Sequence, residues 1–594
     1  MTPALASSSQ ATPSIDPRLF SEDSGYGHAD DAQHEDAIVS HEWASVDGKT
    51  ALPGFDLPLN FYLATSPRAG PEDRPFPNAL HPADMNQRHS ALLLTTIREF
   101  KMLRIMNQIT DKPEWDEKVT RPFVVHRWTQ EVLATEDADV EQKMMDWVFA
   151  ELRYKARVFH ETGVVSVYTG DVIKCDTALN ESFKHELQAA VKPLEDVPER
   201  EQDWHPGSDD KVLDLVHPSL FPLVYGRSKI LESGRTILED CAEMCGQGVV
   251  IPLPPEEEKT MYLYTEKHAY SRNFQWLPCE VDISTNKARI TSYINNLHPA
   301  KYKALYRLIE QAIDAAIPLW NATLAPTLAE WRTRINYRQS NRIVRPEPGQ
   351  FWPPVDPPRL DLRRKFKTKG LQVIVKLANI HLTPENPRYD GGSWHVEGQL
   401  NEHICATALY YYSSENITES ELAFRQQSDT TDAHSIYTRD DDRLLKVIYG
   451  CKSDGPGTQL VGTVKTNEGR LLTFPNILQH RVQPFELQDP TKPGHRKILA
   501  LFLIDPHFRV ISTAKVPPQQ KDWWVERLEK EHTLLDTLPR ELKDAVFGEV
   551  KDSFPIDLKE AKEFREKLME ERKAFQVRHN DAFNFTTEFS LCEH

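Results

Sequence analysis

Two histidines, a glutamate and an arginine in the second half of this chain have the types and order needed to hold a metal and an oxoacid. His395-Val396-Glu397 offers an imidazole and a carboxylate two residues apart, and His480 offers a second imidazole. Two imidazoles and one carboxylate can hold a non-haem ferrous ion on one face and leave the other face open. Arg496 follows shortly after His480. Its guanidinium can fork onto the distal carboxylate of a bound 2-oxo acid. The His-x-Asp/Glu pair alone is cheap, since it also occurs at His28/Asp30, His34/Asp36 and His579/Asp581. The first two of these fall in a polar N-terminal stretch and the last in a polar terminal segment. Only His395/Glu397 leads into a strand-like run and is followed by a strand-borne histidine and arginine.

The elements around these residues must bring them together. Tyr389-Asp390-Gly391-Gly392-Ser393-Trp394 reads as a tight loop entering the triplet, and 404–412 is strongly strand-like. Ligands at i and i+2 in a loop entering a strand can point to one side. Gly469 to Asn476 reads as a strand and a turn, and His480 opens the next strand. A loop with Pro490, Pro493 and Gly494 returns the chain to Arg496 and an apolar run at 498–504. The whole region is a series of short β-rich runs: 371–380, 403–412, 421–426, 444–449, 459–465, 470–474, 480–487 and 497–504. Eight short strands at this spacing suggest a sandwich or jelly roll.

The rest of the chain bounds the problem. Its 594 residues exceed one ordinary core, so several domains or one heavily elaborated domain are expected. Residues 1–45 lack hydrophobic periodicity and read as a disordered tail. Residues 46–345 read as mixed and helix-rich. Leu93, Ile97, Phe100 and Leu103 recur at helical spacing, as do Met145, Val148 and Leu152. The stretch 191–210 reads as a surface loop and 217–222 as an extended segment. A helix is predicted over 299–319, with Pro299 in its first turn. The Pro-rich 346–360 is placed as a connector, 361–516 as the β domain, and 517–594 as a helical extension. In that extension Asp557-Leu558-Lys559-Glu560 resembles a capping box, ahead of an Ala561, Phe564, Leu568, Phe575 stripe that packs on the β domain or mediates self-association.

The net charge of -18 argues against nucleic acid or an anionic membrane as the main partner. The basic run 363–367 reads as a solvated face before a strand. No apolar run is long enough for a membrane span, and the N-terminus has no signal-peptide character. Cys175, Cys241, Cys245, Cys279, Cys405, Cys451 and Cys592 are odd in number and scattered. Reduced thiols in a cytoplasmic or nuclear protein are therefore expected.

Residues 389–505, with His395, Glu397, His480 and Arg496 in that order, resemble the double-stranded β-helix of Fe(II)/2-oxoglutarate-dependent oxygenases, particularly the prolyl-hydroxylase-like branch. The fold this implies is α+β, a double-stranded β-helix (jelly roll) with a large, mostly helical N-terminal region and a helical C-terminal extension. The resemblance implies iron held by His395, Glu397 and His480, with 2-oxoglutarate chelating the iron and Arg496 on its far carboxylate. Tyr411, inward by strand parity with Leu409, would donate a hydrogen bond to that carboxylate; Tyr410 or Tyr412 would do so on the opposite parity. Oxygen would complete the reaction, giving succinate, carbon dioxide and oxidation of a substrate C–H bond. Glu397 departs from the superfamily pattern, where Asp is commoner. Roughly from Leu52 to Gln520 the chain also resembles an uncharacterised fungal group, domain-of-unknown-function family 4246.

Other residues carry less. Glu402 and His403 are alternative ligands or supporting partners, with a polar strand start as the plainer reading. His381, His495 and His507 flank strands and read as hydrogen-bonding histidines, and Trp394 as a wall of the site or ordinary packing. No phosphate-cradling glycine loop, nucleophile elbow or HExxH occurs. The leading expectation is a hydroxylating oxygenase acting on a small molecule or a protein. A jelly-roll metalloenzyme that does not use 2-oxoglutarate and a non-catalytic interaction protein with a relic β domain stay open.

Overall fold

The alternating apolar runs of 371–504 form two facing antiparallel sheets. In the computed structural model the described residues are 45–46, 49–61, 73–80, 91–135, 139–168, 171–255, 269–328, 333–335, 345–353, 360–429, 445–452, 455–530, 539, 541–542 and 555–585. The strands used below are β1 (Val165–Tyr168), β2 (Val172–Cys175), β3 (Val212–Val216), β4 (Cys279–Asp282) and β5 (Arg289–Ile290). They continue with β6 (Leu371–Leu382), β7 (Arg388–Tyr389), β8 (Ile404–Glu415), β9 (Glu421–Asp429) and β10 (Thr458–Lys465). The last four are β11 (Leu471–Pro475), β12 (Gln479–Val482), β13 (Phe485–Glu486) and β14 (Gly494–Ile504). The helices are α1 (Ile97–Thr110), α2 (Gln142–Thr162), α3 (Glu181–Glu195), α4 (Lys303–Leu324) and α5 (Leu558–Phe585).

The larger sheet runs β5-β4-β6-β14-β8-β11-β2-β1, with β3 also paired to β6. The smaller runs β10-β9-β12, and β7 pairs separately with β13. Within 371–504 the chain thus crosses between the sheets. β6, β8, β11 and β14 lie in one, and β9, β10 and β12 in the other. No closed barrel forms among the described residues.

Strand periodicity separates the two faces of the larger sheet. Val373, Val375, Leu377, Leu501, Tyr410 and Tyr412 share a core with α3 and α4. There Phe183 of α3 meets Tyr410 edge to face, and Gln188 donates to the Tyr412 carbonyl at 2.8 Å. Ile374, Leu409, Tyr411, Phe474, Ala500 and Phe502 belong to a different core, shared with Leu422 and Phe424 of the smaller sheet and with α1 and α2. This second face is the inner one. α2 stops at Gly163, whose φ of +69° favours glycine and whose amide donates to the Phe159 carbonyl.

Several expectations need correction. The strand expected at 444–449 is a helical turn, Leu445–Tyr449. Leu445, Ile448 and Tyr449 are buried and Val447 is exposed, which is the i, i+3, i+4 spacing of a helix. The run 480–487 is split into β12 and β13 around Pro484, which has no N–H for a ladder. The helix expected at 299–319 starts later and runs to Leu324, with Pro299 ahead of it. Residues 46–345, expected as mixed and helix-rich, also supply β1 to β5 to the larger sheet. Trp43–His594 is one compact unit, and it is not divided at the Pro-rich 346–360. The tail expected at 1–45 lies outside the described residues apart from Ser45.

Asp557 does cap α5, accepting from the Glu560 amide at 2.8 Å. Glu560 turns away to Arg227, so the expected box is only half made. Ala561, Leu568 and Phe575 are buried against the body as the stripe requires. No helix among the described residues is long and apolar enough to cross a membrane. The six described cysteines are buried and free of disulfides; Cys592 lies outside the described residues.

Candidate metal centre

The loop after β7 is laid directly on the strand that carries His480. Gly391, at φ +91°, passes so close that a Cβ would stand 2.8 Å from the Val482 carbonyl. The Gly392 amide donates to the same carbonyl at 3.0 Å. His395 and His480 then exchange both backbone hydrogen bonds, at 3.1 and 2.9 Å, as an isolated antiparallel bridge. Residues paired this way project their side chains to the same side. Their rings lie 4.3 Å apart between centroids. Glu397 Oε1 is 3.3 Å from His480 Nε2 and 3.8 Å from His395 Nε2. Ligands bonded at about 2.0–2.2 Å around one ion are separated by roughly 3–3.5 Å, so the donor set fits a metal.

Each donor is held in place. His395 Nδ1 donates to the Ser393 carbonyl at 2.8 Å, which leaves the Nε2 lone pair facing Glu397. His480 packs against Phe474 of β11, centroids 4.7 Å apart, and is buried, whereas His395 is a third exposed. The centre is therefore open on the His395 side. Asn476, in the turn between β11 and β12, accepts from the Glu397 amide at 2.9 Å. It also donates to the Glu397 and Ile404 carbonyls at 3.0 Å. Burial alone would raise the Glu397 carboxyl, but the His480 contact and the two imidazoles outweigh it and hold it down at about 2. Burial, reinforced by His480, lowers His395 to about 4.

α5 braces the same backbone from outside. Gln576 and Asn580 both donate to the Trp394 carbonyl, at 2.9 and 3.1 Å, and Gln479 donates to Asn580 Oδ1 at 2.9 Å. Gln479 also reaches His579 Nδ1 at 3.3 Å, a bond that needs the neutral ring. Burial pushes His579 down to about 4. With an unfolded value near 6.5, the unfolded chain takes a proton that the folded chain refuses between pH 6.5 and 4. His579 should therefore cost stability as pH falls through that window, by at most about 3 kcal/mol at 1.36 kcal/mol per unit. Urea midpoints measured across it should show a shallower slope for His579→Phe than for wild type. Equal slopes would remove His579 from the account.

Arg496 and Tyr411 meet on the inner face. The Arg496 guanidinium lies 5.6 Å from the Tyr411 ring centroid and 5.2 Å from that of Phe485, in the strand just beyond His480. It is 2% exposed and donates to Ser420 Oγ at 2.6 Å, while its Nε is buried without a partner. Among the described residues no carboxylate comes within ion-pair distance of it. Burial lowers its basicity and raises the Tyr411 phenol to about 12. Tyr410 and Tyr412 face the helices instead.

The remaining candidates lie elsewhere. Glu402 is fully buried and accepts from Arg572 at 2.6 Å and from the Trp276 amide at 2.8 Å, outside the metal cluster. His403 stacks on Phe508, His495 meets Ser413 Oγ, His507 meets Asp505, and His381 packs between Trp204 and His495. Trp394 makes cation–π contacts on the other side of the strand. Its ring meets the Arg425 and Arg481 guanidinium groups, 4.9 and 4.7 Å away, with Arg481 on the face of β12 opposite His480. Asn476, Ser420 and the bracing residues of α5 carry no signal in a single sequence, since buried amides and hydroxyls look like any others.

No curated protein matches the chain. Among solved structures it is similar to the selenomethionine-labelled Fe(II)/(alpha)ketoglutarate-dependent dioxygenase TqaL. That likeness has 11% identity and a TM-score of 0.26 over 64% of this chain and 98% of that one. IDO from Bacillus thuringiensis is 10% identical, with a TM-score of 0.22 over 59% and 97%. A bsmA homologue from Methylobium petroleophilum PM1 is 11% identical, with a TM-score of 0.23 over 59% and 92%. Likenesses this slight carry no argument about activity. The family comparison is of another order, because one family's model spans 142–527 and its N-terminal companion 52–131, taking in all four residues from which the site is built. The chain belongs to the family described as protein of unknown function (DUF4246).

Proposed function

We propose that this protein is an Fe(II)- and 2-oxoglutarate-dependent oxygenase that hydroxylates a C–H bond of its substrate. The crossing of strands between two facing sheets supports a double-stranded β-helix as its core. The observation that carries the reading is Arg496, a buried cation with an unpartnered Nε and no protein carboxylate, on the inner face that also backs His480. A buried charge of this kind calls for a counter-ion from outside the chain. A dicarboxylate bound to the metal at one end would supply it.

His395, Glu397 and His480 would hold the ferrous ion. When bound, iron with 2-oxoglutarate and oxygen supplies the oxidising chemistry, releasing succinate and carbon dioxide. The chain's own work is placement. Asn476 fixes the backbone of Glu397, the Ser393 carbonyl sets the His395 tautomer, and Phe474 keeps water from the His480 side. Arg496, with Tyr411 beside it, would orient the far carboxylate.

Anaerobic ferrous iron plus 2-oxoglutarate should give a weak visible charge-transfer band with the purified protein, lost in His395→Ala and in His480→Ala. A protein that retains no iron sinks the enzyme reading. Iron retained without a band points instead to a metalloenzyme that does not use the oxoacid.

A further inference from the structure

Away from that centre, a second set of metal-ligand types converges at the end of β3. One ligand atom each from His205, Asp214 and His217 lies within 4.8 Å of the others. The segment before β3 folds back on it: the His205 amide donates to the Val212 carbonyl at 2.8 Å, and the Asp214 amide to the Asp203 carbonyl at 2.9 Å. His205 Nδ1 is thereby placed 2.8 Å from Asp214 Oδ2. Pro218 follows His217 immediately, and Asn296 holds the His217 carbonyl at 2.8 Å, which turns its ring to within 5.2 Å of His205. The Asp214 side chain is 1% exposed, yet its Oδ1 has no hydrogen-bond partner. A buried carboxylate with one empty oxygen, flanked by two imidazoles, lacks a cation.

We propose that His205, Asp214 and His217 bind a second divalent transition-metal ion of the zinc type. Three protein ligands at about 2.0–2.2 Å leave a further position to water. That position would face outward, where His205 is a quarter exposed. Ligation by His217 Nε2 puts the ring proton on Nδ1. The long 3.2 Å contact from the Ser219 amide to that nitrogen is therefore what the ion must displace. Lys376 of β6 stands near enough for its charge to act on Asp214 and His217, as it also does on His395 and Glu397, without reaching ion-pair distance. Its repulsion would weaken the site. The ion would pin the 203–205 segment to the end of β3, where Asp203 also meets Arg565 of α5.

The test is metal stoichiometry on the full chain, loaded with zinc and, for its visible spectrum, cobalt(II). Wild type should hold two ions. Asp214→Asn and the paired variant His395→Ala/His480→Ala should each hold one, and Lys376→Met added to that paired variant should tighten its remaining ion by about 10-fold. His205→Ala, at a partly exposed position, replaces Asp214→Asn if the latter does not fold. A wild-type protein with one ion, absent from the His395→Ala/His480→Ala variant, would overturn the second site and leave the first intact. One ion lost only in Asp214→Asn would uphold this site and remove the other.

Discussion

Arg496→Met should make the metal-free protein more stable while weakening its affinity for 2-oxoglutarate. Replacing a buried, unpaired guanidinium with an apolar side chain of similar length removes a desolvation cost of several kcal/mol. What is lost is one hydrogen bond to Ser420 and two ring contacts, together about 1–3 kcal/mol. The balance favours the variant by about 1–3 kcal/mol, readable as a raised urea midpoint. Oxoacid binding should weaken by the 2–5 kcal/mol of a severed buried charge pair, roughly 30-fold or more. Arg496→Lys should bind at an intermediate level, because it keeps the charge and loses the fork. A less stable Arg496→Met protein with unchanged oxoacid binding would make the guanidinium structural.

Asn476→Ala should have the larger structural effect. It removes three hydrogen bonds and leaves the Glu397 amide and carbonyl without side-chain partners, while the Ile404 carbonyl keeps Asn78. At about 1–1.5 kcal/mol each, a loss of about 3–4 kcal/mol is expected. Metal affinity should fall 10- to 100-fold, because Glu397 loses the side chain that fixes its backbone. Denaturation and competition with a chelator measure the two separately. Weakened metal binding at unchanged stability would show the amide tuning the centre without supporting the fold; neither change would remove it from both roles.

Local pattern made part of this legible. Strands such as 371–380 and 497–504 are dense in β-branched and apolar residues. Alternation from Leu409 placed Tyr411 on the inner face, where it meets Arg496. The order His395, Glu397 and His480 sufficed to pick out three residues whose ligand atoms lie together in space. Long-range pairing was not legible. β2 is four residues long, and nothing in it announces that it extends a sheet whose next strand, β11, lies about three hundred residues on. The helical turn at Leu445–Tyr449 uses residues that suit a strand equally well. The His205, Asp214 and His217 cluster escaped because its first two members meet only once the chain folds back before β3.

The bracing of Trp394 and Gln479 by α5 has a consequence for synthesis. A ribosome makes chains from the N-terminus, so all three donors of the metal centre are made before the helix that steadies two of them. Until residues 576 and 580 have emerged, the Trp394 carbonyl lacks both side-chain donors, and Gln479 lacks its acceptor on the helix. The centre takes its final rigidity from an element translated after all three of its donors, which biases metal capture toward a chain that already carries α5.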